Sequence, residues 1–339
     1  MEITRDLMLR TALLYLKRAS LKKAENLLII AEPPSDHRVI DAFFEAVGMM
    51  GAIPLLAMTP YRGVQNIEPP KPLAAAMKNA DVAVTVIPYE SADFYTKGAL
   101  EMLEGGTRML GCLSATAEML VDYVYLHDFT VTDGICEILE SIMSKAKTVH
   151  ITSPEGTDIQ AEIGGRPVQV NPGLVTKPGD EAYLPAGVVG QAPIEESWNG
   201  TIVFEAFAYP VGILRSPITL KIRDGRITEI TGGEQAQQFK AWFESRNDPN
   251  IYIVCHYGFG INPNLKKLSE LKFLNERMMG IFDIGFGTND LPCFMGKVRA
   301  NGHTDGLMAK AAVSFDSEYV MKDGKFVHPE IVALMEKSK

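Results

Sequence analysis

The sequence has 339 residues, of which 46% are hydrophobic and 22% charged, a composition typical of a globular protein with one large or two ordinary domains. A net charge of −9 argues against a protein that binds the phosphate backbone of nucleic acids. No run of about 18 apolar residues is present, so no membrane span is predicted, and residues 1–18 lack the apolar core of a signal peptide. We therefore expect a cytoplasmic protein.

Strand and helix patterns alternate through the first half of the chain. An amphipathic helix is predicted at residues 1–18, and short apolar runs predict strands at 26–31, 52–58, 81–87 and 108–113. Helical spacing of apolar residues follows these runs at 36–50, 72–79, 92–104 and 132–145. This alternation predicts a parallel sheet with helices on both faces. A glycine-rich fingerprint does not follow the first strand, so the sequence does not predict a dinucleotide site.

The pattern changes near residue 147, where glycine, proline and short alternating runs become frequent. These runs predict mainly antiparallel strands up to residue 231, with a hairpin turn at Asp224-Gly225, and a helix is predicted at 233–245. We therefore predict two domains. Residues 1–147 form a Rossmann-like α/β domain with a parallel sheet, and residues 148–339 form a β-rich α+β domain that carries the functional site.

Two segments of the second half repeat one pattern. Residues 255–262 and 282–289 each read as a strand that runs into Gly-Phe-Gly-x-Asn. His256 and Asp283 hold equivalent positions, each two residues before the first glycine. The glycines favour a close approach of the backbone around a shared site. The same pattern also fits two strand-turn units that bind no ligand.

A candidate metal site lies in the stretch Asn301-Gly302-His303-Thr304-Asp305-Gly306. His303 and Asp305 are two residues apart, so in a strand their side chains point to the same side. A histidine beside a carboxylate is two thirds of the two-His-one-carboxylate set of non-haem Fe(II) oxygenases. Taken alone, such a pair is more often a hydrogen-bonded pair at the protein surface.

Several short motifs occur in an order that a known superfamily shares. They are Glu68-Pro69-Pro70, Gly156-Thr157-Asp158, Asn199-Gly200-Thr201, Asp224-Gly225-Arg226, the stretch from Gly258 to Pro263, and His303-x-Asp305. In this order they resemble the superfamily of the thermophilic-type metallo-aminopeptidases (aminopeptidase T, leucyl aminopeptidase). Within it, the chain is most similar to the branch of the 2,5-dihydroxypyridine 5,6-dioxygenases. The resemblance implies a homo-oligomer.

The metal ligands distinguish the two branches. In the peptidases, which hold a pair of metal ions, the strand that enters the Gly-x-Gly-x-Asn-Pro loop carries a glutamate, whereas here it carries His256. No Glu or His lies between Gly287 and Gly302. The resemblance to the dioxygenases then implies one metal ion held by His256, His303 and Asp305, functionally Fe(II), with Zn as an occupant in a purified sample. It also implies cleavage of a dihydroxylated N-heteroaromatic ring, such as 2,5-dihydroxypyridine, by O2.

Four further residues are candidates for the pocket. Glu181 aligns with a metal-binding glutamate of the peptidases and is expected to act as an acid or base, although a glutamate in such a turn is usually solvated. Tyr183 is expected to stack on the ring or simply to pack, and Arg277 to bind a phenolate or carboxylate or to lie on a surface helix. Asn301 flanks the ligand pair in a substrate-binding or structural role. Two other functions stay open: an aminopeptidase-like metallo-hydrolase, and a binding protein without activity.

Overall fold

The computed structural model describes residues 2–93, 96–291 and 293–337. Contacts divide the chain into unit 1, comprising Met1–Asp128 and Asn171–Ala186, and unit 2, comprising Phe129–Val170 and Gly187–Lys339. The change in composition near residue 147 thus lies inside unit 2, and the division into domains 1–147 and 148–339 stays a prediction. Among the described residues, no helix is both long enough and apolar enough to cross a membrane.

The helices and strands are named in chain order. The helices are α1 (Arg5–Arg18), α2 (His37–Met49), α3 (Lys71–Asn79), α4 (Lys97–Glu104), α5 (Ala117–Leu120), α6 (Phe129–Met143), α7 (Glu234–Ser245), α8 (Lys272–Asn275) and α9 (Pro329–Lys337). The strands of the first part are β1 (Asn26–Ala31), β2 (Ile53–Met58), β3 (Val82–Val86), β4 (Arg108–Gly111), β5 (Thr148–Thr152), β6 (Asp158–Glu162), β7 (Val168–Asn171), β8 (Glu181–Tyr183), β9 (Val188–Gln191) and β10 (Asn199–Phe204). The later strands are β11 (Phe207–Ala208), β12 (Gly212–Ile213), β13 (Ile218–Arg223), β14 (Arg226–Gly232), β15 (Val254–Gly260), β16 (Phe282–Gly287), β17 (His303–Met308), β18 (Ala312–Phe315), β19 (Glu318–Lys322) and β20 (Lys325–Phe326).

Unit 1 is built on a five-stranded parallel sheet in the order β2-β1-β3-β4-β8. Its first four strands are the four apolar runs of the first half, and the interior strand β1 is buried from Leu27 to Ala31. Helix α2 begins after Asp36, whose carboxylate accepts a hydrogen bond from the backbone N–H of Arg38 as an N-cap. The predicted parallel sheet with helices is therefore confirmed.

Unit 2 contains two antiparallel sheets. One has the order β14-β13-β10-β6-β5-β18-β19-β20, and the other has the order β12-β11-β17-β16-β15-β9-β7. Aromatic rings join them, since Phe204 of β10 and Phe286 of β16 meet edge to face with centroids 6.2 Å apart. Gly306 of β17 makes this contact possible, because a Cβ there would lie 2.2 Å from the Phe204 ring. The predicted β-rich second part is confirmed.

Two local predictions for the second part are also confirmed. Asp224 and Gly225 join β13 to β14 with φ angles of 48° and 74°, as the two-residue hairpin turn requires. The predicted helix at 233–245 is α7, and Ala236, Phe239 and Phe243 on its apolar face are buried in the core of unit 2.

Candidate metal centre

The candidate metal centre is carried by β15, β16 and β17, which are neighbouring antiparallel strands of one sheet. The register places His256 opposite Gly285, and Gly285 opposite Asp305, so these residues form one row across the three strands. His303 begins β17, two residues before Asp305. The two Gly-Phe-Gly segments therefore lie side by side.

Three side-chain atoms converge at this row. His256 Nε2 lies 3.0 Å and His303 Nε2 lies 3.1 Å from Asp305 Oδ1, and the two Nε2 atoms are 3.1 Å apart. Ligands bound at about 2.1 Å in octahedral geometry are about 3.0 Å from their neighbours, so the three atoms match one face of an octahedron. Imidazole and carboxylate groups are donors that suit Fe, Zn and Ni. The structure thus brings the predicted ligands together in an arrangement that fits one divalent ion.

Gly285 provides the space in which these atoms meet. A Cβ at this position would lie 2.3 Å from His256 Nε2 and 2.8 Å from Asp305 Oδ1. Both distances are shorter than van der Waals contact, so any side chain at this position would displace the ligands. The repeated glycine pattern therefore has a physical reason at this position, because the middle strand must run between the two strands that carry the candidate ligands without a side chain of its own.

Asp283 and Phe294 hold the His256 ring from two directions. Asp283 Oδ2 lies 3.5 Å from His256 Nδ1, and the Phe294 ring stacks on the imidazole at 4° with centroids 5.4 Å apart. Burial raises the pKa of Asp283 to about 7, and the charge of Asp305 adds to this effect while His256 opposes it. In metal sites, a carboxylate next to Nδ1 of a histidine keeps the proton on Nδ1. Nε2 is then free to bind the ion. The sequence places Asp283 at a position equivalent to that of His256, but no role was predicted for it.

Lys272 is a second residue that sequence reasoning missed. It begins α8, is 9% exposed, and its Nζ lies 2.6 Å from Asp305 Oδ2. Burial alone would raise the pKa of Asp305, but His303 and Lys272 outweigh it and hold that pKa well below its usual range. These two cations therefore favour the ionised carboxylate of Asp305, the form that a metal ion would bind. No motif surrounds Lys272 in the sequence, so only the fold shows its position.

Among the described residues, one candidate ligand group consists of His256, Asp283 and Asp305, and Cys255 belongs to a second, with His256 and His303. Its Sγ lies 3.7 Å from His303 Nδ1, the ring nitrogen that does not face Asp305. Burial raises the pKa of Cys255 well above its usual value, and the charge of Asp305 raises it further. A cysteine binds a metal ion as a thiolate, and the raised pKa of Cys255 disfavours that form. His256 and His303 therefore make a better metal site with Asp305 than with Cys255.

Arg277, a predicted substrate-binding residue, is 4% exposed and is engaged with neighbours of its own segment. Its Nη1 donates a hydrogen bond to the Phe273 carbonyl oxygen at 2.8 Å and pairs with the Glu276 carboxylate, while its guanidinium lies 3.6 Å above the Phe273 ring. The alternative of a surface helix arginine does not fit this burial. Its predicted role in binding substrate stays a prediction.

The other three predicted pocket residues form hydrogen bonds with partners outside this row of candidate ligands. Asn301 is exposed, and its side-chain amide donates a hydrogen bond to the Arg246 carbonyl oxygen at 3.3 Å. Glu181 and Tyr183 lie on β8 in unit 1, where the tyrosine hydroxyl donates to the Glu181 carboxylate at 2.6 Å. Their roles in catalysis and substrate binding stay predictions.

Comparison with known proteins supports the same reading of the sequence. The family model NicX, 2,5-dihydroxypyridine 5,6-dioxygenase, matches residues 8–328. The 2,5-dihydroxypyridine 5,6-dioxygenase of Pseudomonas putida KT2440 is 28% identical over 202 residues. That match spans 56% of this chain and 57% of the relative, so it covers little more than half of each protein.

Two solved structures show the same fold. The 2,5-dihydroxypyridine dioxygenase of Pseudomonas putida KT2440 is similar with a TM-score of 0.86 and 22% identity, over 97% of this chain and 99% of that one. AmpT of Thermus thermophilus is similar with a TM-score of 0.72 and 14% identity, over 95% and 99% of the two chains. The resemblance to the dioxygenase branch predicted from the motifs is confirmed, and AmpT shares the fold.

Proposed function

Because the chain belongs to the 2,5-dihydroxypyridine 5,6-dioxygenase family, we propose that it is an extradiol-type dioxygenase that uses one Fe(II) ion. Its substrates would be O2 and a dihydroxylated N-heteroaromatic ring such as 2,5-dihydroxypyridine. The triangle of His256 Nε2, His303 Nε2 and Asp305 Oδ1, with edges of 3.0, 3.1 and 3.1 Å, carries the proposal. These three residues would hold the ion and would leave coordination positions open to other molecules.

An Fe(II) ion held by these ligands would supply the redox chemistry and the open positions, and the surrounding residues would orient and balance it. Asp283 and Phe294 fix the His256 ring. The buried charges include the carboxylates of Asp305, Asp283 and Glu276, opposed by the cations Lys272 and Arg277. If these three carboxylates and two cations are all ionised, adding a divalent ion would give the site a net positive charge. A positively charged site favours a ring hydroxyl that binds in its deprotonated form.

The metallo-aminopeptidase alternative requires two ions held about 3.5–4 Å apart by bridging carboxylates. In the part of the chain that the structure describes, the two candidate ligand groups share His256 and therefore surround one place. This supports a single ion. Hydrolysis by a single ion stays the second candidate function, and the assay below distinguishes it.

Oxygen uptake after anaerobic reconstitution with Fe(II) tests the proposal. We expect consumption of one O2 for each 2,5-dihydroxypyridine opened, and loss of activity when the iron is chelated or oxidised. The Zn-loaded protein is the matched control and should consume no O2, because Zn has no redox chemistry. No uptake with any dihydroxylated ring, together with turnover of aminoacyl anilides that survives His256→Ala, would overturn the proposal in favour of a peptidase.

We also propose that the chain forms homo-oligomers through β2, the edge strand of the unit 1 sheet. Ile53, Leu55 and Met58 of this strand are 55%, 54% and 44% exposed. An apolar edge strand is a template for pairing with another chain, and monomers rarely expose such a surface. Light scattering is expected to show an oligomer that Leu55→Lys shifts towards the monomer. Tyr319→Lys, at an exposed site of unit 2, is the control, and a monomeric parent protein at micromolar concentration would contradict the proposal.

A further inference from the structure

The loop that joins β16 to β17 places an aromatic ring on one of the candidate metal ligands. Phe294 of this loop is 6% exposed, and its ring lies parallel to the His256 imidazole, at an angle of 4° and with centroids 5.4 Å apart. An imidazole packed in this way has little freedom to turn, because turning would drive its edge into the neighbouring ring. The direction of His256 Nε2 therefore depends on where the loop holds Phe294.

A buried ion pair fixes this loop to the rest of unit 2. The side chains of Arg166 and Glu195 are 8% and 4% exposed, and Arg166 Nη2 lies 2.5 Å from Glu195 Oε2. Glu195 Oε1 accepts hydrogen bonds from the backbone N–H of Lys297 at 2.9 Å and from Asn289 Nδ2 at 3.2 Å. The other terminal nitrogen of Arg166 donates a hydrogen bond to the Met295 carbonyl oxygen. The pair therefore contacts the loop on both sides of the aromatic residue.

The position of the pair is set outside the loop. Arg166 lies between β6 and β7, and Glu195 begins a short helical turn after β9, so both side chains come from elements of the two antiparallel sheets. A buried charge is unfavourable unless it is paired, and each side chain here uses both of its terminal polar atoms. Arginine suits this place because its planar fork can reach two acceptors at once, whereas lysine offers a single nitrogen.

We propose that Arg166 and Glu195 are positioning residues for the metal centre, which hold the loop so that Phe294 stacks on His256. This inference rests on the proposed metal site. The stacked ring keeps the imidazole in the orientation that directs Nε2 towards the ion. An imidazole that is free to turn binds an ion less tightly, because its orientation must then be fixed on binding.

A role in stability alone predicts a different outcome. If the pair only stabilises unit 2, weakening it lowers the melting temperature but leaves the stacking and the metal affinity of the folded protein as they are. If the pair acts through Phe294, weakening it changes the surroundings of His256 and has no further effect once the aromatic ring is removed. Arg166→Lys separates the two roles, because lysine can keep the ion pair with Glu195 but cannot reach the Met295 carbonyl oxygen at the same time.

Proton NMR of the metal-free protein with labelled histidines measures the stacking itself. The ring current of Phe294 changes the resonance positions of the His256 ring protons, and Phe294→Leu shows where these resonances lie without it. In Arg166→Lys we expect them to move towards the positions found in Phe294→Leu. Arg223→Lys, at an exposed arginine that ends β13 in unit 2, is the matched control and should not move them. Unchanged His256 resonances in Arg166→Lys would overturn the proposal.

Calorimetric titration with Co(II) measures the consequence for the metal site. We expect Phe294→Leu to lower the affinity by about tenfold and Arg166→Lys by about three- to tenfold. The double variant should lose no more affinity than Phe294→Leu alone, since two changes that act through one contact are not additive. A thermal melt checks that each variant is folded at the temperature of the titration. Additive losses, or parental affinity in Arg166→Lys, would contradict the proposal.

A second variant keeps the test valid if Arg166→Lys does not fold. Glu195→Gln keeps the shape of the side chain, but its amide group must face a donor, either from Arg166 or from the backbone N–H of Lys297. The His256 resonances should move in the same direction, and unchanged resonances would again count against the proposal. A parent protein that bound no Co(II) would overturn the proposed metal site, whereas unchanged His256 resonances would overturn this inference alone.

Discussion

His303→Ala is expected to lower metal-dependent turnover by at least about a hundredfold while the protein stays folded. The variant removes one of the three converging donor atoms, and the two that remain hold an ion far less tightly. The side chain is 18% exposed and lies at the start of β17, so its loss leaves no large cavity. Turnover of the Fe(II)-loaded protein and calorimetric titration with Co(II) measure the loss of activity and of metal binding, and a thermal melt checks that the protein stays folded.

His150→Ala is the matched control for this experiment. His150 is the half-exposed histidine of β5 in unit 2, and its Nε2 lies 2.8 Å from Asp158 Oδ1. Its distance to the carboxylate resembles the 3.1 Å between His303 and Asp305. Among the described residues, however, neither His150 nor Asp158 belongs to a candidate ligand group. Its loss should change neither metal affinity nor activity. Equal metal affinity in His303→Ala and the parent would contradict the assignment of His303 as a ligand.

Gly285→Ala is expected to weaken metal binding by about ten- to a hundredfold, although the substitution adds a single methyl group. The new Cβ would meet His256 Nε2 at 2.3 Å and Asp305 Oδ1 at 2.8 Å, so at least one ligand must move. Titration with Co(II) measures the effect. The cause is steric, because Gly285 is not among the described glycines with positive φ, and alanine is compatible with its backbone.

Gly164→Ala is the control for this substitution. Gly164 lies in unit 2 and has no atom within 3.8 Å of the position that its Cβ would take. It should bind the metal as the parent does. If Gly285→Ala also bound Co(II) with the affinity of the parent, the two histidines and the aspartate would not converge on one ion.

The convergence of the three proposed metal ligands could be predicted from the sequence because it depends on local geometry and on a repeated pattern. His303 and Asp305 point to one side by strand periodicity. The resemblance to the dioxygenases added His256, and the paired Gly-Phe-Gly segments explain how it can reach them. The register then placed His256 and Asp305 on either side of Gly285. Where a function depends on spacing of two residues in a strand, the sequence is sufficient.

The residues that surround the ligands could not be predicted, because their roles depend on tertiary contacts. Lys272 reaches Asp305 from α8 across a large separation in sequence. Arg277 is buried against its neighbours Phe273 and Glu276. From the sequence alone, this buried position cannot be distinguished from a position on a surface helix. The apolar run of β2 predicted a strand correctly, but periodicity does not show that this strand lies at the edge of the sheet.

Isotope labelling tests the proposed ring-opening reaction most directly. The Fe(II)-reconstituted protein is supplied with 2,5-dihydroxypyridine under ¹⁸O-labelled O2, and the product is analysed by mass spectrometry. A dioxygenase should place both labelled atoms in one ring-opened acid, with the composition of N-formylmaleamate. A product that carries one label or none, or whose new oxygen comes from water, would contradict the assignment.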